Sequence, residues 1–362
     1  MLRAKIERHF MTTQILANVL NLKQTPLIFD KYVNSINTRQ HVITKQTLDE
    51  AFRFYQLKSE KTFYRQCLAL MDEIKHNPEL KNAALLLKYI AYYSDGEDFL
   101  DMENWKASPA RTDLSALILL SGVRLHQKAL KGLDKEQYQH QIKGIHDTFM
   151  RGLKLYKING ISYNSLAWGI RFVRGRLMKF GRLQFEYSLY EDPFVIVKDK
   201  KGDLKACKIS QANKISSKDI LLSPKNVCIN IHIDRSERLF PHLVETSFKR
   251  AKKELLLYFP SLKGKRLIYR CHSWLLSPQM KQFLSDDRHI MNFQNRFFIL
   301  PSVLEDTGDD FFRFLFNTQK STPGFSLETL PDDTSLRKKV KEYFLAGGVV
   351  QEGRGLIFED IE

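Results

Sequence analysis

The chain has 362 residues, 43% of them hydrophobic, which suffices for two domains with large cores and excludes a disordered or collagen-like protein. Lys and Arg outnumber Asp and Glu by 57 to 41, giving a formal net charge of +16. This charge is compatible with nucleic acid, an anionic membrane face or a polyanionic nucleotide cofactor, and it does not choose among them.

The first 150 residues have the pattern of helices. In "LDEAFRFYQLKSEKTFYRQCLALMDEIKHN" apolar residues recur at three- and four-residue spacing with charges between them, as in helices with one buried face. The stretch "NAALLLKYIAYYSDGEDFLD" is nearly all apolar and predicts a helix in the middle of a bundle. "RTDLSALILLSGVRLHQKAL" and "DKEQYQHQIKGIHDTFMRGLKLY" predict further helices.

After residue 152 the pattern changes to strands and helices. An aromatic and basic helix, "YNSLAWGIRFVRGRLMKFGR", precedes "LQFEYSLY", whose strict alternation predicts a half-buried strand. "PFVIVKDKKGDLKACKI" indicates a hairpin with Lys-Gly-Asp at its turn. "VCINIHI" and "RLIYRCHSWLL" predict strands separated by a helix, and "HIMNFQNRFFILP" predicts another strand.

The C-terminal segment completes the part of the chain in which strands and helices are predicted. A helix is predicted from Thr334-Ser335 to the glycine pair Gly347-Gly348, where a left-handed residue can end it. "VVQEGRGLIF" predicts the last strand, with its glycines permitting a turn into it. The fold class is therefore α+β or α/β: a helical domain over residues 1–152 is followed by a mixed-sheet domain over 153–362.

The four cysteines, Cys67, Cys207, Cys228 and Cys271, lie far apart without a CxxC motif or paired histidines. This spacing predicts neither disulfides nor a metal site, and it indicates reduced thiols in a cytoplasmic protein. The N-terminus lacks the apolar core of a signal peptide, and no apolar run is long enough to span a membrane. We therefore expect a soluble protein.

Five motifs together resemble a known family: "GRLMKFGRLQFEY", "INIHIDRSERL", "CHSWLLSP", "LPDDTSLRKKVKEYFLAGG" and "GRGLI". The chain resembles, over about residues 30 to 358, bacterial acyltransferase-domain proteins. In these, a helical N-terminal domain precedes a domain similar to the GCN5-related N-acetyltransferases (GNAT). The resemblance implies a mixed sheet that splays between its fourth and fifth strands, here "VCINIHI" and "RLIYRCHSWLL", with acyl-coenzyme A in the split.

The resemblance also implies where coenzyme A binds. Its pyrophosphate would contact the loop after the fourth strand, residues 234–240, at the N-terminus of the next helix. This loop lacks the glycines usual in the family, so Arg235 and Arg238 are expected to act as side-chain phosphate ligands, with Ser236 beside them. Trp274 is expected to line the acyl-CoA cleft.

Acyl transfer to an amine needs a base, and the candidates are His272, His232 and Glu186, each with a structural interpretation as the alternative. Strand alternation places Asn230 and His232 on one face, and it separates Cys271 from His272. A cysteine nucleophile with His272 as its base is therefore disfavoured, and Cys271 is interpreted as a buried strand residue. The short helix "SPQMKQFLS" lacks the tyrosine that many relatives use as general acid.

The resemblance thus implies an acyltransferase that uses acetyl-CoA or another acyl-CoA as co-substrate and acylates an amine of a small molecule or peptide, and we expect it to need no metal. The alternative is a catalytically silent GNAT-like module that binds a ligand, nucleic acid or a protein. The basic runs "RFVRGRLMKFGR" and "FKRAKKELL" are interpreted as solvated helix faces, so nucleic acid is not the expected partner.

Overall fold

The structure is a computed structural model, and it describes residues 13–37, 39–94, 98–105, 111–199, 201–214, 216, 219–233, 238–303, 307–318, 320 and 324–359. Internal contacts divide the chain into two compact units, Met1–Met178 and Lys179–Glu362. A helical N-terminal part is thus followed by a mixed-sheet part, as the sequence predicts. The finer boundary after residue 152 stays a prediction.

The first unit is built from helices. Besides a helical segment over residues 13–19, its α-helices are α1 Leu27–Tyr32, α2 Lys45–Phe54, α3 Lys61–His76, α4 Pro78–Tyr92, α5 Thr112–Ser121, α6 Val123–Ala129, α7 Lys135–Met150 and α8 Tyr163–Val173. Shorter helical turns cover Val33–Ser35, Asp98–Asn104 and Arg151–Leu155.

Several of these helices begin at a side-chain cap. The Thr44 hydroxyl accepts the Thr47 N–H at the start of α2, and the Asp134 carboxylate accepts the Gln137 N–H at the start of α7. Pro78 occupies the first position of α4, where its missing N–H costs no hydrogen bond. These caps explain why the helices begin where the polar residues precede the apolar pattern.

The core of this unit forms around α4 and α5. Residues 114–120 of α5 are all buried, as are most residues of α4, which confirms the predicted position in the middle of a bundle. A fully buried leucine contributes about 1.5–3 kcal/mol relative to an exposed one, so these two helices hold much of the unit's hydrophobic stabilisation.

Helix α8 also belongs to this core, and neither Arg171 within it nor Arg174 just after it is part of a solvated face. Arg171 is buried and lies over the Trp168 ring. Arg174 donates to the Ala91 and Ser94 carbonyls at 3.1 and 3.3 Å. The interpretation of "RFVRGRLMKFGR" as a solvated helix face is therefore wrong, because Arg171 is buried and the Arg174 guanidinium donates to two backbone oxygens.

The second unit is built on a mixed sheet. Its strands are β1 Leu177–Phe180, β2 Leu183–Leu189, β3 Phe194–Lys198, β4 Leu204–Lys208, β5 Ile220–Leu222, β6 Val227–Ile233, β7 Leu267–Ser273, β8 Phe298–Ile299 and β9 Gly353–Glu359. The large sheet has the order β1-β2-β6-β7-β9-β8, and a small sheet has the order β4-β3-β5. Strands β6 and β7 are parallel, whereas β2 and β9 run antiparallel to them.

The helices of this unit are α9 Pro241–Tyr258, α10 Met280–Phe283, α11 His289–Gln294 and α12 Ser335–Leu345. Helical turns cover Ile209–Lys214, Pro260–Leu262, Trp274–Leu276 and Phe311–Leu315. Strands β3 and β4 form the predicted hairpin, in which Gly202 takes a φ of +88°. Helix α12 is capped by Thr334, as predicted, through the Arg337 N–H.

The large sheet is covered on both faces. Helix α9 packs on one face, where the Phe248 ring lies 5.9 Å from Phe185 and 5.3 Å from Tyr269. On the other face, Cys228 and Ile268 share an apolar cluster with the small sheet. The prediction that β2 is half-buried is therefore wrong: its polar side chains, Gln184, Glu186 and Ser188, are buried as well.

The two glycines of "GRGLI" lie inside β9 rather than in a turn before it. A Cβ on Gly353 would lie 1.8 Å from the Leu276 carbonyl oxygen, so the strand needs glycine for close backbone approach and not for a positive φ. The predicted turn at these glycines is wrong for this reason.

Replacing Gly353 with alanine is expected to lower the free energy of unfolding by about 3 kcal/mol, since the Leu276 backbone must move to admit the methyl group. Urea denaturation of the full chain measures this loss. An unchanged midpoint would mean that the turn Trp274–Leu276 shifts freely and that the contact is not tight.

In the part of the chain that the structure describes, none of the helices combines the length and the apolar character that crossing a bilayer requires.

Candidate functional site

Strands β6 and β7 part from each other near their C-terminal ends. Their parallel register joins Ile229 to Tyr269 and Asn230 to Arg270. Beyond these pairs, residues 231–233 remain paired to β2 and residues 271–273 remain paired to β9. The six residues are all described, and the register between β6 and β7 does not continue through them. The sheet therefore opens between its two central strands.

One histidine lies on each side of this opening. His232 is two residues past Asn230, and His272 is two residues past Arg270. Because side chains alternate along a strand, both histidines lie on the same face as the paired residues Asn230 and Arg270. Their side chains are 25% and 32% exposed, so both are accessible at the open end of a mostly covered face.

A buried carboxylate supports His232. The His232 Nε2 lies 2.7 Å from Oε2 of Glu186, whose side chain is fully buried on β2. Opposite an ionised Glu186, which only accepts hydrogen bonds, Nε2 is the donor of this pair, and a neutral ring then holds its lone pair on Nδ1. The pair therefore fixes which nitrogen can take a further proton.

A second carboxylate lies beside His272. Its Nε2 is 3.4 Å from Oε2 of Glu352, which is buried immediately before β9. The other Glu352 oxygen accepts the backbone N–H of Asp310 at 2.9 Å, and this bond fixes the carboxylate. A negative charge held at this position attracts the protonated imidazole.

A buried ion cluster joins β7 to β9 on the same face of the sheet as the two histidines. The Asp192 carboxylate accepts Nε and Nη2 of Arg270 at 2.7 and 2.6 Å, and Nη1 of Arg354 at 2.6 Å. Burial raises the pKa of Asp192, but the hydrogen bonds from Arg270 and Arg354 outweigh it, so the pKa lies below its ordinary value. Arg270 also donates to the Asn230 side chain at 3.3 Å.

Sequence reasoning did not identify Asp192, Arg270, Arg354 or Glu352. The available signal was a charged residue inside an apolar strand, as in "LIYRCHS", because such a residue needs a buried partner. The partner could not be named, since Asp192 is 78 residues from Arg270 and 162 from Arg354.

Cys271 is buried on the opposite face from His272, as alternation predicts. Its side chain is 1% exposed, and burial raises the pKa of its thiol to about 12. A thiol in this environment is not a nucleophile near neutral pH, so the interpretation as a buried strand cysteine is confirmed.

The predicted coenzyme loop is only partly described. Arg235 and Ser236, together with Asp234, lie outside the described residues. Arg238 is exposed, and its carbonyl accepts Nε of the buried Arg182 at 3.2 Å. Helix α9 begins at Pro241, and its N-cap residue, Phe240, makes no side-chain hydrogen bond to the N–H groups of the first turn. The binding roles of Arg235, Ser236 and Arg238 stay predictions.

Trp274 does not extend the alternation of β7, because the strand ends at Ser273 and a helical turn begins. The Trp274 ring packs edge-on against Phe311 at 5.3 Å. Its contact with an acyl-CoA stays a prediction. Among the described residues there is no group of three or more His, Cys, Asp or Glu side chains arranged to hold a metal ion.

Comparisons with known proteins agree with this geometry. A search of curated proteins finds no matching relative. An acyltransferase mutant in complex with octanoyl-CoA matches with a TM-score of 0.64 and 17% identity, over 96% of this chain and 100% of that one. An acyltransferase in complex with CoA and 10C-teicoplanin matches with a TM-score of 0.63 and 17% identity, over 96% and 99%. At these identities the likeness establishes a shared fold.

A comparison with protein families finds a match over the mixed-sheet part of the chain. The family described as "GNAT-like C-terminal domain" matches residues 177–357, which are half of the chain and include the large sheet up to the last two residues of β9. The match spans both histidines and the opening between β6 and β7. This chain therefore belongs to the family of proteins with a GNAT-like C-terminal domain, preceded here by a helical N-terminal region.

Proposed function

We propose that this chain is an acyl-CoA-dependent N-acyltransferase that transfers an acyl group to an amine of a small molecule or peptide. The observation that carries the proposal is the pair of histidines beside buried carboxylates, one on each side of the opening between β6 and β7. The fold is shared with acyltransferases whose structures contain octanoyl-CoA, decanoyl-CoA or teicoplanin, which supports this substrate class.

In the proposed reaction, Nδ1 of His232 removes a proton from the acceptor ammonium. The amine lone pair then forms a bond to the thioester carbonyl carbon, and the tetrahedral intermediate collapses as the carbon–sulfur bond breaks. His272, as an imidazolium, gives its proton to the departing thiolate of coenzyme A. The nitrogen of the intermediate loses its second proton to solvent, so the products are a neutral amide, the free thiol, a protonated His232 and a neutral His272, and protons and electrons balance.

Glu186 does not act as the base in this proposal. Its side chain is fully buried and its Oε2 is bound to His232, so a substrate amine cannot reach it. We assign Glu186 as a positioning residue that orients the imidazole and stabilises its protonated form. His232 and His272 remain the proposed proton-transfer groups.

The coenzyme would bind at the start of α9. The N–H groups of an uncapped first turn, with the exposed Arg238 just before it, favour a pyrophosphate at this position. Arg235 and Ser236 are proposed as further ligands, and Trp274 as a contact of the acyl-pantetheine arm. Acetyl-CoA and longer acyl-CoA donors are both candidates.

Ligand binding and turnover test the proposal. Saturation with coenzyme A or an acyl-CoA at about 100 times the dissociation constant is expected to stabilise the chain by about 2.7 kcal/mol, seen as a higher melting temperature. Release of free thiol from acetyl-, octanoyl- and decanoyl-CoA in the presence of amines measures turnover. Binding without turnover would identify the silent module instead, and the absence of both would refute the proposal.

Replacing His272 with glutamine is expected to lower kcat about 10²-fold with an acyl-CoA donor, the lower end of the contribution of general acid catalysis. The loss should nearly vanish with an acyl arylthioester, because an aryl thiolate leaves without a proton. Initial rates with both donors measure the difference.

His232→Gln is the matched control for this comparison, since amine attack needs a base whichever thiol leaves. Its loss should therefore be similar with both donors. An equal loss for His272→Gln with both donors would exclude His272 as the proton donor and leave it a structural role.

A further inference from the structure

The proposed reaction leaves one reacting atom, the thioester carbonyl oxygen, without a protein group. In that reaction the amine lies at His232 and the leaving sulfur at His272, on opposite sides of the opening, so the carbonyl lies between β6 and β7. Its oxygen becomes negatively charged when the amine adds, and enzymes stabilise such a charge with fixed hydrogen-bond donors. A donor for this oxygen should therefore lie on the face of the two histidines, where β6 and β7 part.

Asn230 occupies this position. It forms the last parallel pair with Arg270, at the root of the opening, and it lies on the same face as His232, two residues before it. A strand rises about 3.3 Å per residue, so the side chains of Asn230 and His232 leave β6 about 6.6 Å apart. The Asn230 side chain is half-buried, which leaves it within reach of a group that enters the opening.

Arg270 fixes the orientation of the Asn230 amide. A guanidinium group only donates hydrogen bonds, so the Asn230 atom that lies 3.3 Å from Nη1 of Arg270 is the acceptor, Oδ1. Arg270 is itself held by both carboxylate oxygens of the fully buried Asp192, at 2.7 and 2.6 Å. The amide group cannot turn over without losing the bond to Arg270, and its Nδ2 is therefore directed away from that guanidinium.

The Nδ2 group of Asn230 is a donor that no protein acceptor uses. The side-chain contacts of Asn230, from Nη1 of Arg270 and from Sγ of Cys228 at 3.9 Å, both involve Oδ1, and within the described part of the chain Nδ2 has no acceptor. A cation bound to the oxygen of an amide withdraws electron density from it and strengthens its N–H groups as donors. Asn230 thus presents an oriented donor at the root of the opening.

We infer that Nδ2 of Asn230 donates a hydrogen bond to the thioester carbonyl oxygen, an inference that rests on the proposed function. When the amine lone pair bonds to the carbonyl carbon, the carbon–oxygen π pair moves to the oxygen, and Asn230 stabilises the negative charge. The pair returns as the carbon–sulfur bond breaks, and Asn230 keeps its own protons throughout. Asn230 is thus a third catalytic residue beside the two histidines.

Asn230→Asp tests this role, because a carboxylate keeps an oxygen for Arg270 but has no N–H donor. We expect kcat for acylation of an amine by acetyl- or octanoyl-CoA to fall about 10²- to 10³-fold, as when one oxyanion donor is removed. KM for the acyl-CoA should change little, because the negative charge is absent from the bound substrate. An unchanged kcat would overturn the inference, since Asn230 would then serve only to accept the bond from Arg270.

Asn226→Asp is the matched control. Asn226 is exposed just before β6, at the end of the strand away from the opening, and its Oδ1 accepts the Ser223 N–H at 2.8 Å. The variant makes the same chemical change and adds the same charge, and we expect it to keep the kcat of the unmodified chain. Equal losses in the two variants would overturn the inference, because they would reflect the added negative charge and not a lost donor.

Infrared spectroscopy of bound acetyl-CoA, isotopically labelled at its carbonyl carbon, tests the contact without turnover. A hydrogen bond to the carbonyl oxygen lowers its stretching frequency, so the band should lie below that of free acetyl-CoA when the unmodified chain binds it. In Asn230→Ala the band should return toward the free value. A residue that only supports the fold would leave the band in place, so an identical band in the two proteins would overturn the inference.

These measurements separate the failure of this inference from the failure of the proposed function. If the unmodified chain acylates amines and Asn230→Asp does so equally well, the inference fails and the proposed function stands. If the unmodified chain binds no acyl-CoA, the proposed function fails and the inference fails with it. If acetyl-CoA binds without turnover, the proposed function fails, and the position of the infrared band still decides whether Asn230 contacts the carbonyl.

Discussion

Replacing His232 with alanine is expected to lower kcat for acyl transfer by about 10²- to 10⁴-fold, the contribution that a positioned general base makes. His232 is the imidazole with the shorter contact to a fully buried carboxylate, and that contact directs its proton-accepting nitrogen, Nδ1, away from Glu186. Steady-state rates of thiol release with saturating acyl-CoA measure the loss. KM for the acyl-CoA should change little, because the lost group acts on the amine.

Added imidazole distinguishes a general base from a structural residue at position 232. An exogenous base can occupy the space that the alanine substitution leaves, so partial recovery of kcat with rising imidazole concentration is expected for His232→Ala. Glu186→Gln should also lower kcat, since an amide cannot stabilise the imidazolium, yet it should not respond to imidazole. Failure of imidazole to restore any activity to a folded His232→Ala protein would count against the assignment.

Cys271→Ala is the control for a covalent route. Because burial raises the pKa of this thiol to about 12 and its side chain lies on the other face from His272, the variant should keep the kcat of the unmodified chain. A large loss of kcat in a folded Cys271→Ala protein would indicate that the thiol acts as a nucleophile, and it would contradict the proposed direct transfer.

Much of this site could be predicted from strand periodicity. Alternation along "VCINIHI" and "RLIYRCHSWLL" orients His232 and His272 and separates Cys271 from its neighbour, and these orientations depend only on the period of two in an extended chain. Much of the order of strands and helices also followed from pattern, because each element carries its own hydrophobic period. The prediction of a strand over "HIMNFQNRFFILP" is wrong for its first six residues, which form α11, and only Phe298–Ile299 form β8.

What periodicity cannot supply is which strand lies beside which, and in what register. Glu186 was a candidate base in its own right until the pairing of β2 with β6 brought it to His232. Glu352 meets His272 because β9 returns antiparallel to β7, some 80 residues later in the chain. The burial of the polar face of β2 likewise depends on the small sheet, whose position no local pattern encodes.

The ion cluster connects these histidines to the stability of the unit. Arg270 lies at the last parallel pair of β6 and β7, and Arg354 is the register partner of His272 on β9. Asp192 therefore links β7, the strand that carries His272, to the neighbouring strand β9. Without that carboxylate, two guanidinium groups that are only 14% and 12% exposed would lack their counter-charge.

Replacing Asp192 with alanine is accordingly expected to lower the free energy of unfolding by about 3–5 kcal/mol, the usual cost of removing one partner from a buried ion cluster. Urea denaturation of the full chain measures it. Asp332→Ala is the matched control, because its partner Lys341 lies 3.2 Å away at a carboxylate that is 62% exposed, where a pair contributes at most about 1 kcal/mol. Equal losses for the two variants would mean that solvent screens the cluster.

The pH dependence of the unfolding free energy gives an independent check on the contribution of the Asp192 charge. Burial raises the pKa of Asp192, but the hydrogen bonds from Arg270 and Arg354 lower it by more than burial raises it. The folded-state pKa therefore lies below the ordinary 3.8. The unfolded chain then binds a proton more readily than the folded one, and the carboxylate stabilises the fold only while it is ionised. The difference in unfolding free energy between the unmodified chain and Asp192→Asn should be constant above about pH 5 and shrink as the pH falls below 4. A difference that stays constant at lower pH would show that Asp192 contributes through shape and not through charge.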